Sequence, residues 1–593
     1  MKPRRKWMSG FSLLMIVSFI LAACEPTTII ETVEVLVPGD EIEVEVEVQV
    51  VITPTPEPAP QGGTLIESTF ADATILNPIL NNDSPSSDII SKLFLGLVDT
   101  DEFSGETIGS VADSWTVSDD GLVYTFTLRD DIFWSDGTAV TAHDFKFTYD
   151  AVGSDLVETS RKSNIELVDN IEVLDDYTVA VTFSEIDCTA LNNLGLGILP
   201  SHMYAEDFSD VMDSAENKAP SVVNGPFTFQ EWIADDHATL VRNDTYYKGA
   251  PNVDGWIYRV FADQSAELAA LFAGEVDVTG VGPQFVSTVE GAIASGQPLL
   301  MRKFFDDGYV WIAMNQGNPD NPQNGFTDAD EDEAFTEGED VLIQDAHPIL
   351  GDVLVRRAIS HAVDVTNIVN KVAFGQGAQL ASGVLPAVGW AFDNDLEGYA
   401  YDLDAAKALL DEAGWVPGAD GVRVKDGNRL ELKLQTNAGN EVRENIIVLV
   451  QESLNDIGFD IEAEAMDFGS LVGELLGQSF DLVLLGWTGK GTDPDDVGLW
   501  EYRFDTVGSG FNFTSYYNPR MEELGQAAKT LPGCATDERA GMYKEIQSML
   551  HDDAPYVFMY NPLANTVWNT RVQDIDPAPW STYYNVQDWF ITD

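Results

Sequence analysis

The sequence has few positive charges for its length. Lys and Arg number 31 against 99 Asp and Glu, which gives a formal net charge of −68 at pH 7. A field of this sign repels nucleic acids and anionic lipid surfaces, and it does not steer anionic ligands over long distances. A hydrophobic content of 44% still provides enough apolar side chains for burial, so the chain is not a disordered polyanion. These features are typical of an acidic exported protein.

Motifs of common enzyme classes are also missing. The sequence contains no GxSxG and no HExxH, and TGKGT at 488–492 lacks the spacing of a phosphate-binding GxxxxGK[ST] loop. The six histidines are dispersed, and none lies at metal-pair spacing. A glycosidase needs two carboxylates about 5–10 Å apart, but some pair always meets this condition in so acidic a chain. A secreted hydrolase and a purely adhesive lipoprotein are therefore distant alternatives, and we expect no enzymatic activity.

Three cysteines are present, and the first follows an export signal. MKPRRK supplies basic residues, the apolar run FSLLMIVSFI comes next, and Leu21-Ala22-Ala23-Cys24 resembles the bacterial lipobox. The apolar run is shorter than the roughly 20 residues that a membrane span needs. We expect residues 1–23 to be a signal peptide and Cys24 to carry a lipid. This predicts an extracytoplasmic lipoprotein on the outer face of the cell membrane.

The other two cysteines are far apart in the sequence. Cys188 and Cys534 could pair in an oxidising compartment, but sequence alone does not establish their contact. We therefore keep the disulfide and the free thiols as open alternatives.

Residues 24–61 have the composition of a tether. They contain no Lys or Arg after Cys24. The alternating segment EIEVEVEVQVV predicts one isolated strand without a local partner, and TPTPEPAPQ predicts an extended, stiff chain. We expect this segment to hold a globular body away from the membrane.

The body shows strand and helix patterns in alternation. Apolar and polar residues alternate at 122–128 and 171–183, as in half-buried strands. A capped helix is predicted at 402–415. The segment 430–487 predicts a βαβ arrangement with a strand at 430–436, an amphipathic helix at 440–458 and a last strand at 480–487. Trp487 then lies at the carboxyl end of a strand, which is where open α/β sheets bind ligands.

Short motifs follow one another through the body in a fixed order. They are LNP (76–78), LFLGLV (93–98), residues 111–150, NGPFTFQEW (224–232), residues 241–256, ELAALFAGEVD (267–277), VRRAISHAVD (355–364), residues 401–415 and FDLVLLGW (480–487). In content and order they resemble family 5 of the extracellular solute-binding proteins, which serve ABC importers of peptides, nickel and some oligosaccharides. The resemblance extends from about residue 62 to the end.

The resemblance implies an α/β, bilobed class II periplasmic-binding-protein fold with an additional domain inserted in the N-terminal lobe. The implied division is lobe I at 62–97 and 176–285, the inserted domain at 98–175, lobe II at 286–554, and a return to lobe I at 555–593. Lobe closure would capture a solute, with an oligopeptide or dipeptide as first expectation and an oligosaccharide or another solute as alternatives. The partners would be permease subunits with their ATPases and no nucleic acid, the body would be monomeric, and no cofactor would be required.

The resemblance also implies a ligand site. In peptide binders of the family an aspartate shortly after GW holds the α-ammonium of the peptide, and here Lys490 stands at that position. A lysine cannot pair with an ammonium. Either Asp493 or Asp495 takes that role, or the ligand lacks an ammonium and Lys490 binds a carboxylate or sugar hydroxyls. Lys490 could also simply point at solvent, or form a structural ion pair with an aspartate. The predicted ligand contacts are Ser84, Ser86, Ser87, Trp390, Trp487, Thr488, Gly489, Lys490 and Asp493.

Trp487 has two interpretations. Its indole can stack on a ligand at the end of the strand, or it can be a core residue.

An acidic insertion at 317–347 is not typical of the family. Asp328, Asp330, Asp332 and Glu339 have the spacing of positions 1, 3, 5 and 12 of an EF-hand calcium loop. The sixth position, normally glycine, is Glu333. A structural calcium site and a solvated acidic loop are both consistent with this segment.

Overall fold

The computed structural model describes residues 60–261, 263–327, 341–342 and 344–592, and the backbone of 29–37 and 40–48. The signal peptide and Cys24 lie outside these ranges. Ile29–Val37 and Asp40–Val48 form an antiparallel hairpin in a unit separate from the body. This corrects the expectation of an isolated strand: Pro38-Gly39 is a turn signal between two runs rich in β-branched residues, so the Glu/Val segment has a local partner.

One large sheet runs through the body. In spatial order its strands are Phe227–Ile233, His237–Arg242, Gly255–Val260, Thr64–Thr69, Val278–Gly280, Tyr556–Asn569, Tyr309–Met314, Leu482–Trp487, Glu431–Asn437 and Asp460–Met466. Leu299–Phe305 and Gly377–Gln379 also pair with Tyr556–Asn569. The strands before Tyr556–Asn569 in this order belong to lobe I and those after it to lobe II, so the long strand belongs to both.

The lobes are joined where two chain segments run side by side. Leu299–Phe305 pairs antiparallel with the far half of Tyr556–Asn569, and Tyr309–Met314 pairs with its near half. Between the two pairings, the Nδ2 group of Asn561 donates to the main-chain oxygens of Asp306 and Gly308, at 2.7 Å each. The sheet passes from one lobe to the other at this crossing, and we call it the hinge.

Lobe I includes a smaller four-stranded sheet in the order Ala112–Val117, Val123–Leu128, Thr178–Phe183 and Val168–Asp175. Helix Ala142–Gly153 packs on it and begins with a capping box formed by Thr141 and Asp144. The small sheet and the lobe I part of the large sheet share one apolar core, in which Trp134 and Trp256 are fully buried.

Lobe II is the α/β half of the molecule. Glu431–Asn437 runs parallel to Asp460–Met466 and to Leu482–Trp487, and helix Glu441–Asp456 connects the first two strands. The strands predicted at 122–128, 171–183, 430–436 and 480–487, and the helices predicted at 402–415 and 440–458, are confirmed.

The remaining elements are short or lie around the sheets. The α-helices are Ser84–Leu93, Ala142–Gly153, Ala190–Asn193, Gln264–Ala273, Val286–Ala294, Val353–Ala362, Val365–Asn367, Leu403–Glu412, Glu441–Asp456, Phe468–Leu476, Val497–Trp500, Pro519–Lys529 and Thr536–Asp553. Short 3-10 helices are Ser160–Ile165, Ser201–Met203, Ala215–Asn217, Pro283–Phe285 and Tyr502–Phe504, and Ile368–Val372 is a π-helix. Small strand groups are Val98–Thr100 with Thr107–Gly109, Phe326–Thr327 with Val341–Leu342, Val416–Pro417 with Arg423–Lys425 and Asn428–Arg429, and Val572–Gln573 with Phe590–Ile591. Among the described residues, none of the helices combines the length and apolarity required to cross a membrane.

A second connection joins the lobes away from the hinge. Cys188, which follows the small sheet, forms a disulfide with Cys534, between helices Pro519–Lys529 and Thr536–Asp553. Beside it the carboxylate of Glu166 accepts from Lys529 at 3.2 Å and pairs with Arg503. Burial alone would raise the pKa of Glu166, but Lys529 and Arg503 hold it below its usual value. The lobes are therefore tied by a covalent bond and by a buried ionic network.

The hinge leaves no room for a side chain at Gly308. A Cβ added there would lie 1.9 Å from the main-chain oxygen of Trp487. We expect Gly308→Ala to lower the free energy of unfolding by at least about 1–3 kcal/mol, as overpacking does, measured by urea denaturation. The matched control is Gly473→Ala in helix Phe468–Leu476, where an added Cβ meets nothing within 4 Å. This control should be neutral or stabilising by up to about 1 kcal/mol; two variants of equal stability would contradict the role of Gly308.

The disulfide closes a loop of 346 residues. A cross-link of this span restricts the unfolded chain strongly, so replacing both Cys188 and Cys534 with Ala should lower the free energy of unfolding by about 3–5 kcal/mol. Urea denaturation should give the same result for the reduced wild-type protein as for the double variant. A double variant as stable as the oxidised wild type would show that the bridge contributes nothing.

Candidate ligand-binding cleft

Three cavities adjoin one another: the first and the third lie between the lobes, and the second lies within lobe I beside them. The first, of about 240 Å³, is lined from lobe I by Phe70 and residues 82–84, and from lobe II by residues 485–488. The second, of about 550 Å³, shares Ser87 and Arg161 with the first. The third, of about 380 Å³, shares Val98, Asp99, Gly195 and Leu196 with the second and includes residues 489–493. Together we call them the cleft, and their size is that of small-ligand sites.

An aromatic wall forms the lobe II side of the first cavity. Trp487 is the last residue of its strand and is paired with Tyr309, so Trp311 on the neighbouring strand is its diagonal neighbour, with ring centroids 5.6 Å apart. Phe513 stacks on Trp487 at 5.6 Å, and Phe511 meets it edge-on. Trp311 is fully buried, whereas Trp487 is half-buried and lines the cavity. The two interpretations of Trp487 therefore coincide: one part of the ring packs in the core, and the rest contacts the cavity.

Two arginines line the same cavity without a carboxylate. Arg161 donates through Nη2 to the main-chain oxygen of Asn81 at 2.9 Å, and its Nε has no hydrogen-bond partner among the described residues. Arg443, in the first turn of Glu441–Asp456, donates through Nη1 to Asn437 at 2.8 Å. Burial lowers the pKa of both guanidinium groups, but both remain cationic at neutral pH. Neither forms an ion pair within the described part of the chain.

The predicted serines fall into two groups. Ser84 and Ser87, in helix Ser84–Leu93, line the first cavity, and Ser87 also lines the second. Ser86 is 0% exposed, and its hydroxyl donates to the helix-capping carboxylate of Asp83 at 2.7 Å. The predicted ligand contact at Ser86 is therefore wrong, because the helix turns this side chain into lobe I.

Trp390 is also not in the cleft. Its ring contacts that of Tyr543 edge-on, with centroids 5.9 Å apart, and the guanidinium of Arg539 lies 5.2 Å from its centroid. It packs against the core of lobe II, so the prediction of a ligand contact at Trp390 is wrong as well. Thr488 lines the first cavity, and Gly489 lines the third.

Lys490 lines the third cavity, but its charge is used within the protein. Its Nζ pairs with Asp496, and both side chains are 13% exposed. Asp493 is held by Arg539 through two hydrogen bonds of 2.7 and 2.8 Å, and Asp495 faces Lys529 at 3.9 Å. Of the alternatives for Lys490, the structure shows the pair with an aspartate. Asp493 and Asp495, the two candidates for binding the α-ammonium of the ligand, therefore both already face cations of the protein.

Several cleft residues carried no clear sequence signal. Arg161 lies in the polar segment SRKSN, which has no motif, and Phe511 and Phe513 lie in a segment without strong periodicity. Arg443 could have been found, because it stands in the first turn of a helix that follows the carboxyl end of a strand, where such sheets bind ligands. The proposed calcium ligands Asp328, Asp330, Asp332 and Glu339 lie outside the described residues.

Comparisons with known proteins find relatives that match most of the chain. The oligopeptide-binding protein AppA of Bacillus subtilis (strain 168) is 28% identical over 539 residues, which cover 90% of this chain and 92% of that protein. The probable di/tripeptide-binding protein 5 of Pseudomonas aeruginosa is 25% identical over 530 residues, covering 84% and 90% of the two chains.

A solved structure has the same fold over the whole body. It is that of AppA from Bacillus subtilis in complex with a nonapeptide, with a TM-score of 0.80, 27% identity and coverage of 90% of this chain and 100% of that chain. The family model of the bacterial extracellular solute-binding proteins, family 5 Middle, matches residues 106–509. The chain belongs to family 5 of the bacterial extracellular solute-binding proteins.

Proposed function

We propose that this protein is the substrate-binding subunit of an ABC importer and that it captures peptides between its lobes for delivery to a membrane permease. The observation that carries this proposal is the cleft itself: a cavity enclosed by both lobes, with an aromatic wall and two arginines without a carboxylate partner. The names of the oligopeptide-binding and di/tripeptide-binding relatives support it.

The main chain of lobe II is suited to an extended ligand. Leu482–Trp487 pairs with Glu431–Asn437 only at Leu482 and Val483. Residues 485–488 line the first cavity beyond that pairing, so this edge of the strand has main-chain groups available to a ligand. A peptide can add to such an edge as a further strand, with its side chains in flanking pockets. The indole of Trp487 then offers a stacking surface.

The arginines favour a ligand that carries a carboxylate. A buried guanidinium without a compensating charge is unfavourable. A peptide carboxylate between Arg161 and Arg443 would compensate both and accept several charge-assisted hydrogen bonds. A neutral oligosaccharide could use the aromatic wall, but it would leave both charges uncompensated.

We infer further that the body acts as a monomer attached to the membrane through a lipid on Cys24. The support is the sequence Leu21-Ala22-Ala23-Cys24 and the tether that follows it. The lipid would keep the binding subunit near its permease, and the tether would give it reach.

The proposed function is tested by native mass spectrometry of the form that begins after Cys24, purified without refolding. We expect co-purified ligands to give a ladder of short-peptide masses. A hexose series without peptides would contradict the proposal and support an oligosaccharide importer, and the same spectrum reports whether the body is monomeric.

The role of the arginines gives a second prediction. Arg443→Met should weaken the binding of peptides with a free carboxyl terminus by about 1.5–3 kcal/mol, which is the range for a hydrogen bond to a charged group. C-terminally amidated forms of the same peptides should be almost unaffected, and calorimetric titration would measure both. Arg357→Met is the matched control, because Arg357 is an arginine outside the cleft that bonds to the main chain at Asp552. An equal loss for free and amidated peptides would contradict the carboxylate role.

A further inference from the structure

Helix Ser84–Leu93 places a polar face along the cleft. Ser84, Ser87, Asp88 and Ser91 are three or four residues apart, so they share one face of the helix. Ser84 and Ser87 line the first cavity, and Ser87, Asp88 and Ser91 line the second. Asp88 thus lies one step along the helix from the cavity that contains the arginines.

The carboxylate of Asp88 forms no hydrogen bond or ion pair with the described residues. Among the described residues no side chain or main-chain group donates a hydrogen bond to it, and no cation lies within ion-pair distance. Its main-chain oxygen, in contrast, accepts from Tyr258 at 2.8 Å and from Lys92 at 3.3 Å. This distinguishes Asp88 from Asp493, Asp495 and Asp496, which all face a protein cation.

The nearest cation, Lys92, has other partners. The Nζ of Lys92 is fully buried, bonds to the hydroxyl of Tyr258, lies 3.9 Å from Glu67, and stands 3.5 Å above the ring of Tyr583. Burial, followed by the negative charge of Glu67, raises the pKa of Asp88 to about 7. Lys92 offsets this rise in part. A ligand cation beside Asp88 would favour the ionised carboxylate and give it an ion-pair partner.

We propose that Asp88 receives the α-ammonium of the bound peptide, the role for which Lys490 is unsuited. This inference depends on the proposed function. It gives the ligand a direction: the amino terminus lies in the second cavity at Asp88, and the chain runs past Ser87 towards Arg161 and Arg443 in the first. A zwitterionic peptide would then complement both charged ends of the cleft.

The test compares two peptide libraries of two to nine residues with free carboxyl termini, one with free amino termini and one N-acetylated. Apparent affinities for ligand-free protein are measured by tryptophan fluorescence. The wild type should bind the free-amino library about 10- to 100-fold more tightly, the range for a hydrogen bond to a charged group. Asp88→Asn should remove this difference by weakening only the free-amino library. Asp88→Glu keeps the charge and should retain part of the difference.

Asp175→Asn is the matched control. Asp175 lies outside the cleft, and its carboxylate accepts from the main-chain N–H of Tyr177 at 2.9 Å, so the difference between libraries should remain within 2-fold of the wild type. An unchanged Asp88→Asn variant, an equal loss for both libraries, or an equal effect of Asp175→Asn would each overturn the inference while leaving the proposed function intact. Failure of the wild type to bind either library would overturn the proposed function, and this inference with it.

Discussion

The crossing of two antiparallel segments at the hinge is the constraint on which the cleft depends. Asn561 uses both N–H bonds of its side-chain amide to hold the main chain on either side of Asp307. Gly308 must lack a side chain there, because the main chain of Trp487 passes against it. The hinge therefore fixes the register of Tyr309–Met314 with Leu482–Trp487. That register places Trp487 beside Trp311, and the aromatic wall of the cleft follows from it.

Charge is the second organising constraint. In a chain with 99 acidic and 31 basic residues, a cation has many potential partners. Two buried cations at the lobe interface form ion pairs: Lys529 faces Glu166 and Asp495, and Arg539 holds Asp493. Against this background, Arg161 and Arg443 are informative because they have no carboxylate partner in the described part of the chain. Asp88 is informative for the opposite reason, since its carboxylate forms no ion pair with any described residue. Uncompensated groups of both signs in one cleft indicate a ligand with both charges.

Most regular elements were predictable from the sequence, because the alternation at 122–128 and 480–487 and the amphipathic period at 440–458 depend only on local burial. The position of Trp487 at a strand end followed from the same patterns. The orientation of Ser86 did not, because it depends on the rotation of a helix that Asp83 caps. The sequence also could not show that Arg161 and Arg443 form no ion pair with the described residues, since this depends on which acidic residues the fold brings within reach. Spacing also could not show that Lys490 would find its partner six residues on, in Asp496.

The two connections between the lobes limit how the cleft can open. One is the hinge at Asp306–Gly308 and Asn561, and the other is the disulfide, whose Cα atoms are 5.4 Å apart. Motions that preserve both connections are rotations about the line that joins them, together with the flexing of the loops that carry Cys188 and Cys534. Glu166 and its cationic partners lie next to the second connection, so they move least in such a rotation. A buried ion pair is hard to separate because each charge would remain uncompensated, and its position beside the disulfide allows the cleft to open with this network intact.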